Sequence, residues 1–213
     1  GPSNLSDAVK QRIAATRISL PYGELSRAGA GFGHTHLAFN RDSVTRAHMP
    51  FIRYQGALLP SLPLRLAAAM EGQEAGDVRV RDRRIHLKGG RIPLVEGGVL
   101  LRFSNDPLPY KVLSFVDFLK GETKGVKGGA VLLGFGPGLG RSYETPLQAE
   151  MSEGRLAADI LDALLTGRTV ARPSGLPFAE AGLAFFIGIP CLLLLLRIRP
   201  WKGAFVAAGW ILV

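Results

Sequence analysis

The chain has 213 residues, a formal net charge of +9 and 47% hydrophobic side chains, the composition of a globular protein with room for one or two domains. Its bases are dispersed rather than gathered in a run, which argues against nucleic acid as a partner and favours an anionic surface. The one cysteine, Cys191, excludes an intrachain disulfide and leaves the redox compartment open.

The Gly1-Pro2 start, without a signal peptide, fits a protease cut or a fragment. Capping residues Ser3, Asn4 and Ser6 ahead of Val9, Ile13 and Ala14 predict a short helix within Ser3 to Arg17. After the Pro21-Tyr22-Gly23 break, a second short helix is expected over Glu24 to Ala30, ended by Gly31 to Gly33. His34 to Phe39 reads as a half-buried strand, with Thr35, Leu37 and Phe39 on one face and His34, His36 and Ala38 on the other. Asn40 to Ser43 is turn chemistry, and His48 to Tyr54 reads as the returning strand, with Pro50 marking an edge or a bulge. Gln55-Gly56 closes that strand, and Pro60-Ser61 starts a helix over Leu62 to Met70.

From Val78 to Phe103, short alternating segments with glycine turns predict an antiparallel meander whose strands contain Val78 and Val80, Ile85 and Leu87, Ile92 to Val95, and Val99 to Leu101. Ser114-x-x-Asp117 ahead of Phe118 and Leu119 is a capping-box signature, and Gly121 fits the stop of a brief helix. Beyond the charged loop Glu122 to Gly128, the apolar run Ala130 to Leu133 predicts a strand buried on both faces, around which the other elements are organised. Gly134, Gly136, Gly138 and Gly140 follow at every second position. Leu156, Ile160, Leu161, Leu164 and Leu165 then form one apolar helical stripe over Glu153 to Leu165.

Pro173 to Pro177 is a linker, and Phe178 to Leu196 runs 19 residues with Glu180 as its single charge. At ~1.5 Å per residue this nearly matches a ~30 Å hydrocarbon core, so a transmembrane helix is expected, with a buried core helix as the alternative. Arg197, Arg199 and Lys202 make residues 197–202 a cytoplasmic basic loop, with Trp201 at the interface, and 203–213 reads as the start of a second membrane helix. Residues 1–172 are then expected outside the cytoplasm.

Three patterns invite chemistry. The glycine ladder suggests a phosphate loop, but a dinucleotide site needs its helix to begin within the turn, and here the helix begins about a dozen residues later; a structural turn bordering a ligand pocket is the preferred reading. His34-x-His36 has zinc-compatible spacing, with His48 able to oppose the pair across the turn, but lacks a nearby Cys or acidic ligand, so a polar strand face is preferred. Arg79, Arg81, Arg83 and Arg84, with Asp77 and Asp82 near them, read as a solvated face, contact with anionic headgroups being the alternative. No serine triad, nucleophile elbow or paired catalytic carboxylates can be identified.

Between about Leu25 and Arg168 the ordered segments resemble the second type of CHASE domain. The similar stretches are the glycine-histidine strand, the Asp42-x-Val44-x-Arg46 turn, the Pro60-Ser61-Leu62 helix start, the Ile-Pro-Leu hairpin in RRIHLKGGRIPLVEGGVLLRF, SFVDFLKG, and GGAVLLGFGPGLGRSYETPL with MSEGRLAADILDALLTG. The sequence departs from the family where Arg141 replaces an acid and where Gly154 to Asp159 replaces Val-Glu-Ile-His-Ala-Asn. It also lacks the family's opening membrane helix and first strand-helix-strand segment, so Val131, Leu132 and Leu133 are expected nearer a sheet edge than their apolarity calls for.

The resemblance implies an extracytoplasmic sensory module of bacterial cyclases and kinases. The fold expected is α/β, a mixed sheet with an antiparallel meander and flanking helices, followed by transmembrane helices. The chain itself is expected not to be an enzyme, its output being an absent adenylate or guanylate cyclase, histidine kinase or Ser/Thr kinase. Ligand-facing candidates are His34, His36, Gly136, Gly138, Gly140 and Arg141, with no catalytic, cofactor-binding or metal-binding residue. The partners expected are the lipid bilayer and an unidentified extracytoplasmic ligand or protein, with a homodimer through the membrane helices left open. Two alternatives are a membrane-surface enzyme using the glycine loop for a phosphorylated substrate and a structural assembly domain.

Overall fold

A computed structural model describes residues 14–19, 22–37, 42–103, 109–121, 129–136, 138–171, 173 and 175–197. The chain divides into two compact units, Gly1–Ala171 and Arg172–Val213.

In the first unit, Ala14–Ala15 (β1) lies parallel to Phe51–Tyr54 (β3), which pairs antiparallel with Ala57–Pro60 (β4). The helix expected over Ser3 to Arg17 ends in a strand where it can be seen, at Ala14 and Ala15; residues 3–13 lie outside the described residues. Gln55 (φ 48°) and Gly56 (φ 81°) turn β3 into β4, both left-handed as a two-residue hairpin with a type I′ twist requires. The strand β4 had no signal of its own in the sequence, because Pro60 at its end reads as a helix start. The helix Gly23–Ala28 (α1) ends two residues earlier than expected, and Leu62–Met70 (α2) starts and stops as expected.

The returning strand expected over His48 to Tyr54 is two strands in two sheets. Ala47–His48 (β2) pairs antiparallel with Val99–Leu101 (β8), which also pairs with Thr169–Val170 (β11), whereas β3 belongs to the β1-β3-β4 sheet. Pro50 stands at the switch, where a residue without an N–H costs no ladder bond.

Arg79–Arg81 (β5), Arg84–Leu87 (β6) and Gly90–Pro93 (β7) form the antiparallel meander, with Val80 facing Ile85 and Ile85 facing Ile92 across the ladder. Those three are buried while Arg79, Arg81, Arg83 and Arg84 are exposed, so the arginine face is solvated as expected. The meander stops at three strands. Val95 and Gly98 exchange backbone hydrogen bonds in a tight turn that sends β8 to the other sheet, correcting the four-segment meander.

The last elements of this unit are Phe115–Leu119 (α3), the two-stranded ribbon of Ser142–Tyr143 (β9) and Met151–Ser152 (β10), and Glu153–Thr166 (α4). Ser152 caps α4 by accepting the Arg155 N–H, and Gly167 (φ 69°) ends it in the left-handed conformation. The expected stripe is buried at Leu156, Ile160, Leu161 and Leu164, and α4 packs on α2. Leu64, Ile85, Ile92, Val99, Leu156 and Ile160 anchor the core. The described residues therefore form a mixed α/β unit with four small sheets rather than one mixed sheet.

The run Ala130 to Leu133 is not a strand. It pairs with no described segment, and Val131 and Leu133 are 61% and 79% exposed, with Leu132 alone leaning on the core. Apolarity cannot bury a strand that has no neighbour to complete its ladder, so the segment is more exposed than even an edge position requires. The half-buried strand expected over His34 to Phe39 is likewise absent over its described residues: His34 makes an isolated parallel bridge to Ser61, and the burial of His34 and Leu37 with Thr35 and His36 exposed breaks the alternation.

In the second unit, Leu176–Arg197 (α5) is a helix of 22 residues, beginning within the expected linker and carrying Pro190 in its interior. Among the described residues no helix is long and apolar enough to cross a membrane, so the spanning role expected for residues 178–196 draws no support from the structure. The stretches 198–202 and 203–213, expected as basic loop and second membrane helix, lie outside the described residues.

Truncating Ile85, fully buried at the centre of the meander, is expected to cost about 2–5 kcal/mol through lost transfer energy and the cavity left behind. Arg83→Ala at the exposed turn should stay within about 0.5 kcal/mol of the parent. Denaturant unfolding of the two variants checks this; equal losses would contradict the core assignment.

Candidate functional site

Two buried imidazoles and a serine meet where the elements of the first unit cross. Gly33 lets the 31–37 segment approach α2 closely, since a Cβ there would lie 2.4 Å from Leu62 Cα. His34 then donates its N–H to the Pro60 carbonyl at 3.0 Å and accepts the Leu62 N–H at 2.9 Å. Ser61, between those two residues, donates its N–H to the Pro50 carbonyl at 2.8 Å, while its Oγ accepts the Leu64 N–H as the cap of α2. The same Oγ lies 2.7 Å from His48 Nε2.

Neither ring is fully satisfied. His34 Nδ1 accepts the His36 backbone N–H at 3.2 Å, which places the ring proton on Nε2, an atom with no hydrogen-bond partner among the described residues. His48 Nδ1 and the buried Thr45 hydroxyl also lack partners among the described residues. Burial, reinforced by the charge of His36, holds the His34 pKa down to about 4, with the Pro50 carbonyl opposing the shift weakly from outside bonding geometry. Burial and then His34 hold His48 down to about 3. Both imidazoles are therefore neutral at neutral pH.

The helix α4 roofs the pair through Glu153, Leu156, Ala157 and Ile160, leaving a cavity of about 30 Å³. That volume holds a water molecule or two and no organic ligand. The His48–Ser61 contact has the form of a base and nucleophile, but Ser61 is completely buried, its oxygen is engaged in capping, and among the described residues no carboxylate orients His48 Nδ1. Acyl transfer has neither access nor an activated nucleophile here.

The expected candidates do not converge. His36 is exposed and contributes its backbone, not its ring, so His48 rather than His36 is the ring partner of His34, correcting the shared face expected for His34 and His36. Among the described residues no group of three or more His, Cys, Asp or Glu is placed to hold a metal ion. Gly136, Gly138, Gly140 and Arg141 are exposed, and none of them lines the histidine cavity. Instead the ladder serves packing: a Cβ on Gly134 would lie 3.0 Å from Gly154 Cα, and one on Gly140 would lie 3.1 Å from Phe135 Cβ. Gly138 (φ 80°) forms the turn itself. Arg141 accepts the Glu153 N–H on its carbonyl at 3.2 Å and turns its side chain to Tyr143, whose phenol burial and Glu153 push up in pKa.

A second cluster lies along α4. Tyr110 donates its hydroxyl to Asp159, a carboxyl whose pKa burial raises; burial and that carboxylate together raise the tyrosine. Arg155 stands beside the pair with a buried Nε that has no partner among the described residues. Sequence reasoning missed Tyr110, which has no motif, and treated Ser61 only as a helix start; a buried cap residue with a second lone pair was the signal available.

Compared with known proteins, residues 3–196 match the family model described as the CHASE2 domain. No curated protein and no solved structure matches the chain.

Ser61→Ala removes a cap and leaves His48 Nε2 unpaired in the interior, for an expected loss of about 2–4 kcal/mol. Ser114 holds the corresponding position before α3 but makes no side-chain cap bond, so Ser114→Ala should cost less than about 0.5 kcal/mol. Urea unfolding of both variants measures the difference, and comparable losses would remove Ser61 from its role.

Proposed function

The chain belongs to the CHASE2 domain family, and we propose that it is the extracytoplasmic sensing module of a transmembrane receptor. CHASE2 domains are extracellular sensory domains rather than catalytic ones, and this membership over residues 3–196 is the observation that carries the proposal. On this reading α5 enters the bilayer and residues 197–202, with Arg197, Arg199 and Lys202, face the cytoplasm. The apolar run Phe178 to Leu196, with the single charge Glu180 and followed by Arg197, Arg199 and Lys202, supports that orientation.

A cyclase or kinase following the membrane segments would be the output. Pairing of two copies through α5 would give the domain an arrangement that a signal can change. A ligand can bias such an arrangement only by the difference in its affinity for the two states. Exposed His36, Gly136 and Gly138 to Arg141 are open to a ligand or a protein partner, whereas enclosed His34 is not. The glycine ladder gives little support to the alternative of an enzyme acting on a phosphorylated substrate, because its close approaches are to Gly154 and Phe135.

Asp42, exposed in its pair with Arg46, is a suitable reporter of topology. With Cys191 replaced by serine and Asp42 by cysteine, a membrane-impermeant maleimide is expected to label intact cells. Labelling only after the membrane is permeabilised would overturn the orientation.

A further inference from the structure

We infer that His34 and His48 form an acid-operated latch: protonation of the pair frees α4 from the 34–37 segment while the β5-β6-β7 meander stays folded. The inference deepens the sensory reading by naming protons as a class of stimulus, and it rests on that reading only for its meaning as a signal.

The latch follows from how the rings are held. His34 Nδ1 is an acceptor, engaged by the His36 N–H. A second proton on that ring must go to Nδ1, which sets two donors against each other and breaks the bond. His48 reaches Ser61 Oγ, which already accepts the Leu64 N–H, and its Nδ1 has no partner to share a new charge. With the ring neutral, the Ser61 hydroxyl can donate to Nε2; with the ring protonated, that hydroxyl proton has no acceptor left.

Charged and titratable groups surround the pair unevenly. The 31–37 segment carries His36. From α2, the Arg65 guanidinium donates to the carbonyls of Phe32 and Ala30 at 3.0 and 3.2 Å, adding positive charge to the same segment. From α4, Glu153 lines the cavity, the sole carboxylate to do so among the described residues. Leu62 and Pro63 of α2 line it without charge, and β2 adds no titratable group besides His48. Two imidazolium ions here would repel each other, and one carboxylate cannot match both.

The sign follows from the lowered values. Opened, each imidazole returns to its ordinary 6.5; closed, His34 sits at about 4 and His48 at about 3. The open form binds more protons between those values, so the closed form is favoured above pH 6.5 and is lost as pH falls through the window below it. The opening is local because α4 meets the rings across a partly empty apolar cavity, whereas the meander is held by its own ladder with Val80, Ile85 and Ile92 buried. Through Gly167, α4 leads into β11, which keeps its own pairing with β8.

Hydrogen exchange with mass spectrometry on the full chain, at about pH 7.5 and about pH 5 with times corrected for intrinsic rates, tests the latch. Peptides covering 153–166 and 34–37 are expected to lose protection by about tenfold or more at the lower pH, with 79–93 unchanged. The variant carrying His34→Asn and His48→Gln keeps an acceptor for His36 and a group for Ser61 but cannot titrate, and should show no such change. His86→Gln, in the meander, should behave as the parent does. If the double variant fails to protect 79–93 at the higher pH, proton NMR titration of the two rings in the parent replaces it, and titration must coincide with the loss of protection. Unchanged protection in the parent, simultaneous loss in 79–93, or a response surviving in the double variant would each overturn the latch. Exchange does not depend on membrane orientation, and the thiol labelling is run at one fixed pH, so the two readings fail separately.

Discussion

One backbone crossing holds the first unit together: the three residues Pro60, Ser61 and Leu62 bond in succession to His34, to Pro50 and to His34 again. Ser61 alone joins four partners, donating its N–H to Pro50, accepting the Leu64 N–H on an Oγ that also bonds His48, and accepting the Arg65 N–H on its carbonyl. Small sheets of two or three short strands are marginal by themselves. They persist here because β2 and β3 leave the Pro50 switch in different sheets and are tied back to the start of α2. Ser61, His34, His48 and Pro50 are buried there, so each bond broken among them would leave a desolvated donor or acceptor behind. The same enclosure keeps both histidines neutral.

Legibility in the sequence followed the range of the forces involved. The Ser152 cap and Gly167 stop of α4 are local signals that went unread, yet the helix was readable because its apolar stripe is equally local. So were α2 and the first three strands of the meander, where two-residue turns and alternating arginines set the register. Partners far along the chain were not readable. The strand β8 has the same texture as its predecessors, yet it pairs with Ala47–His48 and Thr169–Val170, some fifty and seventy residues away. Ala130 to Leu133 shows the converse, because a run of apolar residues states a preference for burial without supplying the strand that would bury it.

The site was legible in its residues and not in its arrangement. His34 and His48 both stood out, but period-two reasoning joined His34 to His36, when the bridge to Ser61 turns the segment so that the next buried residue after His34 is Leu37. The glycine ladder looked like a place for a ligand because glycines permit close approach. Here what approaches is the protein itself, Gly154 at the first turn of α4. Motif order, by contrast, carried the family assignment well, since the resemblance lay in dispersed elements whose sequence is preserved even where individual pairings were misjudged. Arg141 and the Gly154 to Asp159 stretch, which depart from the family pattern, both touch α4 and its neighbours.

The central claim is that the crossing at Ser61 is the most cooperative part of the first unit. Native-state amide hydrogen exchange measures it directly, through the amides of Ser61 and Leu62, bonded to Pro50 and His34. At neutral pH they are predicted to exchange only by global unfolding, with protection equal to the unfolding free energy of the unit and at least as great as that of Ile85 in the meander. Exchange of Ser61 and Leu62 by local fluctuation, with Ile85 still fully protected, would contradict the account.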